Sequence, residues 1–193
     1  FIGSHLAELC IEKGFEVVAF DRYNPNNNWG WLEGSKHKKD IKIILGDVRD
    51  YDSVFKSMKG CSAVFHLAAL ADIIPSIDNP KEYMSVNVQG TLNILEIGRI
   101  LKVRKFIYAA SGSCYGVAST PTNEKHIINP EYPYAFSKYL GEECVKHWSK
   151  IYGINFVSIR IFNAFGLRSR TNGNYGAVFG AVSYTHLTLP TKA

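Results

Sequence analysis

Several absences narrow the classes open to this sequence. No apolar run approaches the ~20 residues that a helix needs to cross a bilayer, so no membrane partner is expected. Cysteine is sparse. Cys10, Cys61, Cys114 and Cys144 show no Cys-x-x-Cys spacing and no framework that would staple a secreted domain. They read as reduced, packed thiols of a cytoplasmic protein. No group of residues has metal-ligand spacing, and no metal is expected. No internal repeat or low-complexity segment stands out. Basic residues outnumber acidic ones, for a net charge of +5, but they are scattered rather than gathered into a stripe. The densest run, Lys36-His37-Lys38-Lys39, reads as a solvated loop, and no nucleic-acid partner is expected.

What remains is ordinary for a folded domain. The 193 residues are 46% hydrophobic and 20% charged, enough for one domain with a sizeable core. Short apolar strands alternate with amphipathic helices. Helices are predicted over 5–12, 50–58 with Asp50 as N-cap, 80–101 with an interruption near Asn87, and 134–152. Strands are predicted over 16–20, 41–45, 62–67, 105–109 and 155–159. This alternation gives an α/β fold, a doubly wound parallel sheet with helices on both faces. Such sheets bind ligands at the carboxyl ends of their strands. Asp21, Asp47, His66 to Ala69, Ser111 and Asn163 fall at those ends.

The segment Tyr134-Ala-Phe-Ser-Lys138 places a phenol and an ammonium on one helix face. A nearby ammonium favours the phenolate. Ser111, brought in from a neighbouring strand end, would complete a proton relay able to take a proton from a sugar or alcohol hydroxyl.

The ends read as cut. A dinucleotide-binding domain opens with a strand and a glycine-rich turn, and here Phe1-Ile2-Gly3 stands where that turn would close. The first strand is expected to be missing, as is most of a C-terminal substrate domain. Residues 1–180 read as a Rossmann-like NAD-binding fragment running into the start of a substrate-binding region, and 181–193 as a non-native tail. The fragment is expected to be inactive and poorly soluble, because loss of a central strand exposes its neighbours' edges.

The motifs in order resemble those of the extended short-chain dehydrogenase/reductases, the NAD-dependent nucleotide-sugar epimerases and dehydratases. They are Phe1-Ile2-Gly3-Ser4-His5-Leu6, Asp21, Gly46-Asp47-Val48-Arg49-Asp50, His66-Leu67-Ala68-Ala69, Asn87-Val88-Gln89-Gly90-Thr91, Ser111 before Tyr115-Gly116, Tyr134 to Lys138, and Arg160-Ile161-Phe162-Asn163-Ala164-Phe165-Gly166. The resemblance implies roles. Phe1, Ile2 and Gly3 would face the cofactor pyrophosphate at a helix N-terminus. Asp21 would accept the adenosine ribose hydroxyls and repel a 2′-phosphate, which favours NAD although Arg22 follows it. Asp47 and Val48 would meet the adenine. Leu67, Ala68 and Ala69 would pass under the cofactor, and His66 is read as a packed strand residue. Asn87 would orient the helix backbone near the site. Tyr134 would be the general base, assisted by Lys138. Ser111 and Ser113 would touch the sugar, Asn163 the diphosphate side, and Arg168, with Arg170, a phosphate.

The same resemblance bears on the reaction. Dehydratases of this kind carry Asp-Glu directly after the catalytic Ser or Thr, as acid and base for expelling the C6 hydroxyl. Gly112-Ser113 stands there instead. The expected activity is therefore 4-epimerisation of UDP-glucose or its N-acetyl counterpart, with NAD as cofactor. One feature favours a 4,6-dehydratase acting on amino sugars: Asn28-Trp29-Gly30-Trp31-Leu32-Glu33 resembles a loop of those enzymes. A third reading is a catalytically silent nucleotide-binding protein, but such members tend to lose the Ser-Tyr-Lys set, which is intact here. A homodimer through the Tyr-bearing helix is the expected assembly.

Overall fold

The structure, a computed structural model, describes residues 1–24 and 26–169. Arg170 and the segment 181–193 lie outside the described residues. In chain order the elements are α1 (Ile2–Glu12), β1 (Val17–Arg22), β2 (Ile41–Gly46), α2 (Tyr51–Met58), β3 (Ala63–His66), α3 (Ile73–Asp78), α4 (Pro80–Met84), α5 (Gly90–Ile100), β4 (Lys105–Ser111), α6 (Pro133–Tyr152) and β5 (Asn155–Ile161). Short 3-10 turns cover Gly30–Leu32 and Gly112–Tyr115, and a π-helical turn, Ser85–Gln89, joins α4 to α5.

Local chemistry explains several boundaries. Asp50 caps α2 by accepting the amide of Ser53 at 3.1 Å, satisfying one of the orphan donors of the first turn. Pro133 opens α6 at a position where its missing N–H costs nothing. The interruption expected near Asn87 is the π-helical turn itself, with Asn87 at its centre and almost wholly buried. Helix α1 starts three residues earlier than the sequence reading placed it. Helix α3 was not expected, because Ile73-Ile74-Pro75 lacks a helical period.

All ladders are parallel, as the alternation predicts, but the strands form two sheets rather than one. One pairs β1 with β2; the other has the order β3-β4-β5. Among the described residues no ladder joins β1 to β3, so each keeps one edge without a strand partner.

The period-two alternation of the strands decides what each face meets. On β1, Val17 and Ala19 face a small cluster of Ala7, Leu32 and Ile41, while Phe20 faces the main core. That core gathers Val54 and Met58 of α2, Ile94, Leu95 and Ile97 of α5, Phe106 and Tyr108 of β4, and Val145 of α6. Among the described residues the three-stranded sheet is covered on one face only. Phe106, Tyr108 and Ala110 point into the core, whereas Phe65, Val157 and Ile159 on the opposite face are about half exposed. Helix α6 reaches β4 closely because residue 141 is glycine: a Cβ there would collide with the Tyr108 hydroxyl. That close approach carries the Tyr134 end of α6 to the strand ends.

Candidate active site

Strand β4 ends at Ser111, and its register sets Ser111 opposite Ile161 of β5. Ser111 then caps the 3-10 turn Gly112–Tyr115, its Oγ accepting the amide of Ser113 at 3.2 Å. The Ser111 and Ser113 hydroxyls lie 2.7 Å apart. Tyr134, in the first turn of α6, donates its phenolic hydroxyl to Ser111 Oγ at 3.4 Å. The structure thus brings together the two hydroxyl groups that the sequence placed in a relay. The ring of Tyr83 meets that of Tyr134 edge-on at 6.4 Å and helps fix it.

Lys138, one turn further along α6, is buried with 4% exposure. Its ammonium sits 4.4 Å over the face of Tyr108, where the ring's negative face attracts a cation. Burial pulls its pKa down to about 7, and the Glu142 carboxylate works in the opposite direction. Burial thus disfavours the charged form of this lysine.

A polar network underlies this face of α6. Asn87 donates to Ser137 Oγ at 2.9 Å and to the Leu70 carbonyl at 3.0 Å, and accepts the Leu70 amide at 2.8 Å. Ser137 in turn donates to the Tyr134 carbonyl at 2.8 Å. Thr91 gives its proton to the Asn87 carbonyl at 2.6 Å, so the His66 Nε2, 2.8 Å from the same hydroxyl, must carry a hydrogen and donate. His66 is fully enclosed, and burial, helped by the Lys138 charge, pushes its pKa down to about 3. It is a packed neutral residue, and its role is support. A π-helical turn with a buried polar centre is a frequent mark of a functional site.

The remaining expected residues lie around the same edge. Phe1 precedes α1 as its N-cap, and Gly3 in the first turn faces Leu67, with 3.7 Å between a Cβ built there and Leu67 Cδ1. Ala68 is exposed, and Leu67 and Ala69 are half-buried. Asp21, the penultimate residue of β1, is exposed, with its Oδ1 accepting the Arg22 amide at 2.8 Å. Asn163 is exposed two residues beyond β5. Three further expected residues already have partners within the chain. The carboxylate of Asp47 is gripped by Arg49 at 2.6 and 2.9 Å, which holds its pKa low, and Arg49 continues to Glu82. Val48 is a core residue packed under Gly90. Arg168 forks onto Glu8 at 2.9 and 3.0 Å and touches Ser4.

A family model described as the NAD dependent epimerase/dehydratase family matches residues 1–186. The chain belongs to this family. The UDP-glucose 4-epimerase of Mycolicibacterium smegmatis is 31% identical over 182 residues, which are 92% of this chain and 58% of that protein. The UDP-glucose 4-epimerase of Thermus thermophilus, solved in complex with NAD, superposes with a TM-score of 0.86 at 31% identity, over 99% of this chain and 61% of its own. The UDP-N-acetylglucosamine 4-epimerase of Methanobrevibacter ruminantium, solved with UDP-N-acetylmuramic acid, gives 0.87 at 31% identity, over 97% and 60%. The chain thus spans about 60% of the length of these relatives.

The residues present fit the cofactor of this NAD-dependent family. The first turn of α1 offers amides beside Leu67, the small side chains Ala68 and Ala69 leave room for a flat ligand, and Asp21 offers an exposed carboxylate at a strand end. Among the described residues no His, Cys, Asp and Glu cluster has metal-binding geometry, and no helix is long and apolar enough to cross a membrane. The sequence reading missed the supporting set of Tyr83, Thr91, Tyr108 and Ser137. Two of them stood inside segments already singled out: Thr91 closes the Asn87 motif, and Ser137, three residues after Tyr134, shares its helix face.

Proposed function

We propose that this chain forms the cofactor-binding part, and the proton-relay wall, of an NAD-dependent nucleotide-sugar 4-epimerase. The observation that carries the reading is the Tyr134 hydroxyl donating to Ser111 at 3.4 Å, one helix turn before the buried Lys138, with Gly112 and Ser113 directly after that serine. Bound NAD would supply a hydride acceptor that returns the hydride later in the cycle. Asp21 would hold the adenosine ribose, and the α1 amides the pyrophosphate. Tyr134, as phenolate, would take the proton of the sugar C4 hydroxyl, with Ser111 orienting that oxygen and Lys138 stabilising the negative phenol. Tyr134 would give the proton back after the 4-keto sugar has turned over in the site. Ser113 and Asn163 would contact the substrate.

Elimination at C6 needs a proton donor and acceptor, which the family resemblance places at the two positions after Ser111, and Gly112-Ser113 supplies no carboxyl there. The Trp29 loop does not offset this. Its Leu32 is buried and its Trp29 lies under Lys38 at 4.7 Å, which are packing roles. On α6, Phe136, Leu140, Glu143 and His147 share one outward face, which supports a homodimer through this helix. Proton NMR of the protein carrying this sequence, incubated with NAD and UDP-glucose or UDP-N-acetylglucosamine, tests the proposal. A galacto-configured product reached from either side is the expected result. A new C6 methyl signal beside a 4-keto group would mean dehydration instead.

A further inference from the structure

The proton relay depends on how closely Ser111 and Tyr134 are held, yet they sit on separate elements. A second set of contacts joins those elements from behind. Arg160 of β5 forks onto Glu142 of α6 at 2.8 and 3.0 Å. The Glu142 side chain is 3% exposed, and Lys146 adds a further contact at 2.9 Å. Burial works to raise the Glu142 pKa, but Arg160 and Lys146 together bring it below the usual range, so the carboxylate stays charged. The other arm of Arg160 donates to the Tyr115 hydroxyl at 2.7 Å, with the guanidinium 5.0 Å from the Tyr115 ring centre. Tyr115 is the last residue of the turn that Ser111 opens. Its ring stacks on Phe162, and Phe162 in turn lies flat against Gly112, where a Cβ would come within 2.8 Å of it.

Glu142 lies four residues after Lys138 and eight after Tyr134, on the same face of α6. The Glu142–Arg160–Tyr115 chain therefore ties that face to the serine turn. We infer that Arg160 is a positioning residue, one that locks the Ser111 turn against the Tyr134 helix and so sets the separation of the two relay hydroxyls. The inference rests on the reading of Tyr134 and Ser111 as the relay. A half-buried guanidinium fork suits this task, since its two arms have fixed directions and each has a partner. Lysine keeps the charge but has no second arm, so it cannot hold both at once.

Three variants, Arg160→Lys, Glu142→Gln and Tyr115→Phe, test it in the NAD-bound protein. Tyr115→Phe is the mildest, since it removes one hydroxyl and leaves the ring in place. Two readouts are taken. The first is turnover of the UDP-sugar. The second is titration of the Tyr134 phenol by ultraviolet difference spectra, each variant compared with its own Tyr134→Phe partner, which needs no sugar. A Ser111 that has drifted away donates less well to the phenolate, so the Tyr134 titration should move up by about one pH unit. The kcat should fall about tenfold or more, with the KM for sugar and the affinity for NAD little changed. An unmoved titration with wild-type kcat would overturn the inference. So would equal loss of NAD binding, thermal stability and activity in all three variants, because the contacts would then hold the fold and not the relay. A wild-type protein that titrates but turns over no UDP-sugar would count against the epimerase reading, while the titration shift would still decide the role of Arg160.

Discussion

The phenol of Tyr134 and the hydroxyl of Ser111 meet at 3.4 Å, and the chemistry of both follows from their neighbours. Replacing Tyr134 by Phe removes the proton acceptor but leaves a ring of the same shape beside Tyr83. Turnover should fall by at least about a hundredfold while NAD binding survives, measured by NMR conversion and cofactor titration. His66 offers a second test at this scale. Its pKa is near 3 in the fold, against an ordinary value of 6.5, because the charged form has no solvation there. Between those values the unfolded chain binds a proton that the folded chain refuses. Stability is thus fully present above pH 6.5 and falls as the pH drops toward 3, by about 1.4 kcal/mol per pH unit from this residue. Urea midpoints between pH 4 and 7 should show this slope, and His66→Gln should flatten it.

Elements were the most legible part of the sequence, and their partners the least. The strands and long helices follow from alternation and period, and the Asp50 cap and the Asn87 interruption from single residues whose preferences are strong. Helix α3 was hidden because a six-residue segment holding Pro75 has no period to read. The relay residues could be found because Tyr134 and Lys138 share one turn. The partners of Arg168 and Asp47 could not, because a guanidinium takes whichever carboxylate the fold brings near. Glu8 lies at the other end of the chain, and Arg49 is one of several cations close to Asp47. Gly141 illustrates a local fact with a remote cause: nothing around it in sequence shows that Tyr108 presses on it. Gly141→Ala should destabilise by about 1–3 kcal/mol through overpacking, read from denaturant unfolding. Removing the obstructing hydroxyl with Tyr108→Phe should recover part of that loss, a non-additivity expected of residues in contact.

For the molecule as a whole, the covered and uncovered faces of the three-stranded sheet set its behaviour in solution. Phe65 at 45%, Val157 at 56% and Ile159 at 49% exposure line one face, and β3 keeps an unladdered edge among the described residues. Such a surface favours association. The 193-residue chain should self-associate as its concentration rises, seen by light scattering, and Val157→Thr with Ile159→Thr should reduce this without changing the parallel ladders. Those ladders carry one more consequence. Lys105 of β4 pairs with Asn155 of β5 across the whole of α6, and no two paired strands are joined by a tight turn. Synthesis runs from the N-terminus, so β3 and β4 leave the ribosome well before β5 can complete their sheet. During that interval one flank of β4 waits without its neighbour, and the nascent chain needs shelter for as long as α6 and β5 take to emerge.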